Sequence, residues 1–305
     1  MRVLHLDAGK TMRGGQWQAL RLIQGLTWGG PPGLPSFEST LLARQGSPLF
    51  ESAANAGLHV EPIGLLRAAI LARRHDLVHA HDSRAHSLAA MVGGAPLVVS
   101  RRVAFAGSDR SNWKYGRAAR YIAVSEFVKS VLVERGVPPE KIGVVYDGVP
   151  LLNVPGPVEG PPRIVAPANA DDPRKGADLA LEAARLAGVE LRLSDNLERD
   201  LGGASLFLYI TRSEGLGSGA LLAMSAGVPV VASRVGGLPE IVRHGENGWL
   251  VENAPEAIAA AIRRLQGDPG LARRLGRAGR QTVVERFTVE RMVRRTMEVY
   301  LQVLS

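Results

Sequence analysis

The chain has 305 residues, 46% of them hydrophobic, which is enough for two domains that each bury a core. It contains no cysteine, which excludes disulfides, thiolate metal sites and cysteine nucleophiles. No run of about 18 apolar residues occurs, and the N-terminus MRVLHLDAGKTMRGG lacks an apolar core of signal-peptide length, so a soluble, cytoplasmic protein with only peripheral membrane contact is expected.

The formal net charge of +8 is unevenly placed: residues 1–150 hold 18 Lys or Arg against 11 Asp or Glu, and residues 151–305 hold 19 against 18. A basic first half attracts anionic surfaces such as lipid head groups or a phosphorylated glycan. An arginine-rich composition would give the same surplus with no partner at all. Aromatic residues make up 5% and do not alternate with the basic ones as stacking platforms would, which argues against nucleic acid.

Arg2–Asp7 (RVLHLD) reads as a strand, and Gly14-Gly15 precede a helical pattern through Trp17, Leu20, Leu22, Ile23 and Leu26. Strand, glycine loop and helix open a parallel α/β sheet. The loop lacks Gly-x-Gly-x-x-Gly spacing, which argues against a dinucleotide dehydrogenase. Further strands are expected at 37–43, 58–63, 77–80, 97–100, 121–124 and 141–146, with a helix over 48–56 and another from an N-capping Ser125 through Val133. The strand at 77–80 delivers His79, His81 and Asp82 to its carboxyl end, the edge that borders the ligand crevice of an open sheet. Two histidines at i and i+2 point the same way, so a metal is conceivable, but no third ligand of suitable spacing is evident and none is expected to be bound. Arg101-Arg102 end the next strand and, with Arg110, Lys114 and Arg117, form a candidate patch for an anionic acceptor or a membrane; a solvated helix face would look the same.

Pro150–Pro162 is rich in proline and glycine and marks a domain boundary, giving domains over 1–153 and 154–305. In the second, Ile164–Ala166 starts a sheet, and DDPRKG (171–176) precedes an amphipathic helix over 179–186. Arg174 and Lys175 thus flank a helix start, where a cation beside free N–H groups suits a diphosphate leaving group. One strand (189–193), one helix (196–201) and one strand (206–210) then lead to the most informative block, Ser213–Val251. It reads as a glycine-rich loop, a helix over 220–226, a buried strand at 229–233, a Gly236-Gly237 turn open to a ligand, and a second helix at whose mouth Glu240 sits. A permissive backbone at a helix N-terminus is an anion site, and phosphate is the commonest anion that fits. Three amphipathic helices follow, over 255–265, 271–287 and 289–304.

The segments SEGLGSGALLAM (213–224), PVVASRVGGLPEIV (229–242), GGQ (14–16), the His-x-His at 79–81, AVSEFVKSVLVERGVPPEKIGVVYDGV (123–149) and Lys175-Gly176 resemble the retaining glycosyltransferases of family 4. The resemblance implies an α/β chain of GT-B architecture, two Rossmann-like doubly wound parallel-sheet domains facing a cleft, with the last helix (289–304) packing back on the first. It implies metal-independent transfer of a sugar from a nucleotide-diphosphate donor to a glycan or lipid-linked acceptor, without a cofactor, in the cytoplasm or at the inner face of the membrane. In the catalytic set Glu214 orients the sugar, Lys175 stabilises the leaving diphosphate and His81 meets sugar or acceptor, with His79 in support. Gly14, Gly15, Arg174, Gly215, Leu216, Gly217, Ser218, Gly219 and Leu222 fall at donor-binding positions, and Gln16, Arg101 and Arg102 at acceptor-binding ones. The chain departs from the pattern at several places. The family's second glutamate, eight positions after the first, is Leu222; an arginine six positions before the lysine is Asn169; Asp147 stands where asparagine is commoner; and residues 189–210 are short for the family, as in a trimmed member. These departures keep a second expectation open, a GT-B pseudoenzyme or partner subunit that binds a glycan or lipid head group without turnover.

Overall fold

In the computed structural model β1 (Arg2–Asp7) is buried from its second residue onward, and the strands beside it bury both faces, as a parallel sheet between two helical layers must. The structure describes residues 1–28, 33–103, 109–153, 163–168 and 172–305. Asn169, most of the proline-rich stretch and the side chain of Arg110 lie outside the described residues. Two compact units result: Met1–Gly148 with Val289–Ser305, and Val149–Thr288.

The first unit adds β2 (Glu38–Ala43), β3 (His59–Pro62), β4 (Leu77–Ala80), β5 (Leu97–Arg101), β6 (Arg120–Ala123) and β7 (Ile142–Val144). All pair in parallel in the order β3-β2-β1-β4-β5-β6-β7. The order reverses between β1 and β4, and the carboxyl ends of those two strands are where a doubly wound sheet opens a crevice. The connecting helices are α1 (Gly14–Thr27), α2 (Pro48–Asn55), α3 (Leu65–Ala72), α4 (Ser83–Val92) and α5 (Glu126–Glu134). Their starts are chemically marked. The Ser47 hydroxyl accepts from Phe50 N at 3.2 Å with Pro48 following, the Ser125 hydroxyl accepts from Val128 N at 3.0 Å, and Asp82 accepts from Arg84 N and Ala85 N at 2.7 and 3.0 Å.

The second unit carries β8 (Ile164–Pro167), β9 (Leu191–Ser194), β10 (Leu206–Tyr209), β11 (Val230–Ser233) and β12 (Trp249–Val251), in the parallel order β12-β11-β10-β8-β9. Its reversal lies between β8 and β10. The helices are α6 (Ala177–Ala187), α7 (Leu197–Asp200), α8 (Ser218–Ser225), α9 (Leu238–Ile241), α10 (Pro255–Gly267) and α11 (Pro269–Arg286). The expected strands and helices thus recur within a few residues, and the structure adds α3, α4 and β12, for which the sequence pattern gave no expectation.

The last helix, α12 (Val289–Leu304), belongs to the first unit and is amphipathic, burying Met292, Val293, Met297 and Tyr300 beneath that unit's sheet with Val3, Leu77, Val98 and Ile122. Burial of side chains this size contributes about 1.5–3 kcal/mol each. In the second unit α8 is buried on all sides and packs on α11. That packing needs Gly276, because a Cβ there would collide with the carbonyl oxygen of Gly227 just after α8. The Arg280 guanidinium donates to the carbonyls of Leu152 and Ser225, placing a cation at the carboxyl end of α8.

Gly276→Ala is expected to lower unfolding stability by about 1–3 kcal/mol despite alanine's better helix propensity, because backbone and not a flexible side chain blocks the methyl. A urea midpoint equal to or above that of the parent chain would contradict it.

Candidate active site

At the reversal point of the second sheet, a short 3-10 turn Pro173–Lys175 follows β8 and leads through Gly176, in left-handed backbone with φ 56°, into α6. The loop after β10 reaches the same place. The Lys175 ammonium donates to Glu214 Oε2 at 2.8 Å, the Tyr209 hydroxyl donates to the same oxygen at 2.8 Å, and Gly215 N donates to Oε1 at 3.0 Å. Both members of the ion pair are partly buried, so neither floats in solvent.

The loop is held from behind. Thr211 N donates to the Ser233 hydroxyl at 2.9 Å, Ser233 donates to Asn253 Oδ1 at 2.6 Å, and Asn253 Nδ2 donates to Thr211 O at 3.0 Å, which ties β10, β11 and the segment after β12 together. Arg212 N and the Thr211 hydroxyl both donate to Arg174 O, at 2.7 and 2.9 Å, clamping the Lys175 turn to the Glu214 loop. Glycine supplies the closeness. A Cβ on Gly236 or Gly237 would run into the carbonyl oxygen of Glu214 or Gly215, so glycine at this turn lets the two loops pack backbone to backbone.

Leu216 is 2% exposed and Leu222 is 7% exposed, and their side chains belong to the core. Gly217 caps α8, with Ser218 and Gly219 in its first turn and half-buried, which leaves N–H groups at a helix start beside the Lys175–Glu214 pair. The Arg174 guanidinium makes a two-pronged contact with Asp172 at 2.9 and 2.8 Å, and the bond holds the Asp172 carboxyl down at about 2. Arg212 is similarly engaged with Asp178.

In the first unit the reversal point gathers Asp7, Gln16, His81, Asp82 and Arg102. Gln16 Nε2 donates to both Asp7 oxygens at 3.1–3.2 Å and Gly9 N donates to Oδ1 at 2.8 Å. Burial and the neighbouring Asp82 carboxylate raise the Asp7 pKa to about 6. Gln16, expected at the acceptor, is therefore engaged with Asp7, and Gly15 lies against the Arg102 side chain. Arg102 pairs with Asp147 at 3.3 Å. Arg101 is buried and Lys114 is buried too, with its ammonium donating to Ser83 O, Ser83 Oγ and Ser87 Oγ. The expected solvent-facing basic patch is thus corrected: Arg101 and Lys114 point into the protein, where desolvation lowers the pKa of each.

The histidines carry a second correction. His5 of β1 lies in register with His79 of β4, and this pairing supplies the third imidazole that sequence spacing did not reveal. One nitrogen from each of His5, His79 and His81 falls within 4.8 Å of the others, so the three could hold a metal ion. Their hydrogen bonds are to protein. His5 Nδ1 and His81 Nε2 are 3.0 Å apart, while His79 bonds the Tyr300 hydroxyl at 2.6 Å and Ser100 Oγ at 2.8 Å. Burial keeps all three neutral, pushing His5 to about 3 and His79 and His81 well below the usual value. The features missed from the sequence are His5, Asp7 and Tyr209; the first had a signal in the pairing of two expected strands.

Comparison with known proteins agrees with this geometry. Residues 189–282 match the model of glycosyl transferases group 1, and residues 26–151 match that of glycosyltransferase family 4. The chain belongs to glycosyltransferase family 4. A similar relative is the alpha-maltose-1-phosphate synthase of Mycobacterium tuberculosis, 31% identical over 65% of this chain and 56% of the relative. Another is the N-acetyl-alpha-D-glucosaminyl L-malate synthase of Bacillus anthracis, 35% identical over 36% of this chain and 29% of the relative. This family 4 chain therefore matches at most about half the length of those two relatives. Among solved structures, Anabaena HepE in complex with UDP and glucose superposes with a TM-score of 0.86 at 18% identity over 99% of both chains. The sucrose-phosphate synthase of Thermosynechococcus elongatus gives 0.77 at 18% identity over 99% of this chain and 98% of that one. Both likenesses establish the GT-B fold.

The neutral imidazoles set a pH dependence. His5 and His86 titrate near 3 in the folded chain against 6.5 unfolded, so below about 6.5 the unfolded state takes up more protons. Stability is full above that pH and falls as pH drops toward 3. Asp7, raised from 3.8 to about 6, opposes this between those two values, but it is one group against several histidines. Urea unfolding between pH 7.5 and 4 is expected to show stability declining by up to about 1.4 kcal/mol per pH unit per net proton; constant stability over that range would contradict the burial of neutral histidine.

Proposed function

We propose that this chain is a retaining, metal-independent glycosyltransferase that moves a sugar from a nucleotide-diphosphate donor to a glycan or lipid-linked acceptor. The observation that carries the proposal is the Lys175–Glu214 pair beside the N-terminus of α8. As the glycosidic bond to the diphosphate breaks, negative charge grows on the leaving oxygen. An ammonium and a row of helix N–H groups fixed beforehand stabilise that charge more than they stabilise the ground state. Lys175 exchanges its carboxylate partner for phosphate when the donor arrives. Glu214, still held by the Tyr209 hydroxyl and Gly215 N, is then left to accept hydrogen bonds from the hydroxyls of the transferred sugar.

Relatives support the donor class: HepE was solved with UDP and glucose, and the sequence relatives are an alpha-maltose-1-phosphate synthase and an N-acetyl-alpha-D-glucosaminyl L-malate synthase. The acceptor side is assigned to the first unit, where Asp7, His81 and Arg102 border the reversal point of the sheet. A cytoplasmic place of action, at the inner face of the membrane when the acceptor is lipid-linked, belongs to the same reading.

A second reading, binding of a glycan or lipid head group without turnover, draws on Leu222. Its side chain is in the core, so no carboxylate stands at that place to hold a ribose. Thermal shift with UDP- and GDP-sugars separates the two readings: stabilisation accompanied by nucleotide release supports transfer, and no stabilisation by any donor together with no released nucleotide supports the second.

Lys175→Ala is expected to reduce turnover by about 10²–10³-fold while shifting the unfolding midpoint little, because a partly exposed ion pair contributes modestly to stability. Equal turnover in the variant would remove the leaving-group role.

A further inference from the structure

Helix α3 inverts the usual division of a surface helix. Its sequence LLRAAILA buries Ala68 and Ala72, while Leu65 is 59% exposed, Leu66 75% and Ile70 43%. On α4, against which α3 packs, Met91 is 58% exposed. Leu66 and Ile70 are four residues apart and share one face. Small residues inward and large apolar residues outward leave a patch that water disfavours, the mark of an interaction surface. The charge along it is positive: Arg67 lies within the helix and exposed Arg73 and Arg74 follow it, so that residues 65–74 hold three arginines and no acid.

The acids nearby cancel part of this: Glu61 pairs with Arg67 at 2.8 Å, and Asp76, which accepts from Arg2 N at 2.7 Å, is exposed two residues after Arg74, so that Arg73 and Arg74 carry the positive charge that remains. A second copy of this chain is a poor occupant, because a two-fold contact would set the arginines of one positive unit against those of the other. The position is informative as well. α3 starts just past the carboxyl end of β3, so Leu65 and Leu66 stand at the same edge of the parallel sheet as Asp7, His81 and Asp82.

We propose that α3, with Met91 beside it, docks the first unit onto an anionic lipid bilayer. Leu65, Leu66 and Ile70 enter the boundary between head groups and acyl chains, and Arg73 and Arg74 meet head-group phosphates. The inference goes beyond sugar transfer and does not depend on it.

Sedimentation of the full chain with vesicles tests it. Pelleting is expected with phosphatidylglycerol–phosphatidylcholine vesicles, weakened by salt, and not with phosphatidylcholine alone. The double variant Leu66→Asp/Ile70→Asp changes exposed side chains only, so its thermal midpoint stays at that of the parent while pelleting falls by at least about tenfold. Arg73→Glu/Arg74→Glu weakens binding by roughly fivefold or more per arginine replaced and flattens the salt dependence. The proposal is overturned by absence of pelleting, by equal pelleting with neutral vesicles, or by pelleting that both variants retain. It is also overturned if light scattering shows a dimer that Leu66→Asp/Ile70→Asp dissolves. Sedimentation reads no turnover, so failure here leaves the transferase reading standing, and an inactive Lys175→Ala chain leaves docking untouched.

Discussion

One carboxylate organises the second unit. Glu214 accepts from the Lys175 ammonium, the Tyr209 hydroxyl and the Gly215 N–H, and through them it joins the turn before α6, the end of β10 and the loop before α8. Two stretches far apart in sequence, the Lys175 turn and residues 209–215, meet on two oxygen atoms. The meeting is possible because the carboxyl ends of β8 and β10 are neighbours at the point where the sheet order reverses. The remaining contacts of the region, the Thr211–Ser233–Asn253 chain and the glycine turn at 236–237, keep that acid from moving.

The first unit solves a related problem with different chemistry. Its reversal point carries a carboxyl raised to about 6, an arginine paired with Asp147, and below them a set of imidazoles kept neutral by burial. The chain from Ser100 through His79 to Tyr300 ties the sheet to the final helix, while one ring nitrogen each of His5 and His81 is buried without a hydrogen-bond partner. The second unit thus carries a charged, partly exposed cluster, and the first carries buried, neutral imidazoles.

Much of this was legible in advance. Strand and helix periodicity placed most elements within a few residues, the Lys175 turn and Glu214 loop were readable as a cation and a glycine-rich backbone at helix starts, and the resemblance to family 4 implied their roles. Three kinds of feature escaped. Pairing brought His5 beside His79, and register is a property of two strands together that neither sequence displays alone. Burial turned Arg101 and Lys114 inward, which their charge argues against and only tertiary packing decides. Helix α3 escaped because its apolar residues lie on the wrong side for a pattern that presumes large side chains face the core.

The first unit is interrupted in sequence: its sheet is encoded before residue 149 and its covering helix α12 only from Val289 onward. The intervening unit is continuous, so on the ribosome it can collapse on its own while the earlier sheet waits with Val3, Leu77 and Val98 uncovered. Biogenesis of this chain therefore has a built-in delay, during which an apolar sheet face is open to chaperones or to aggregation until the final helix emerges and closes it.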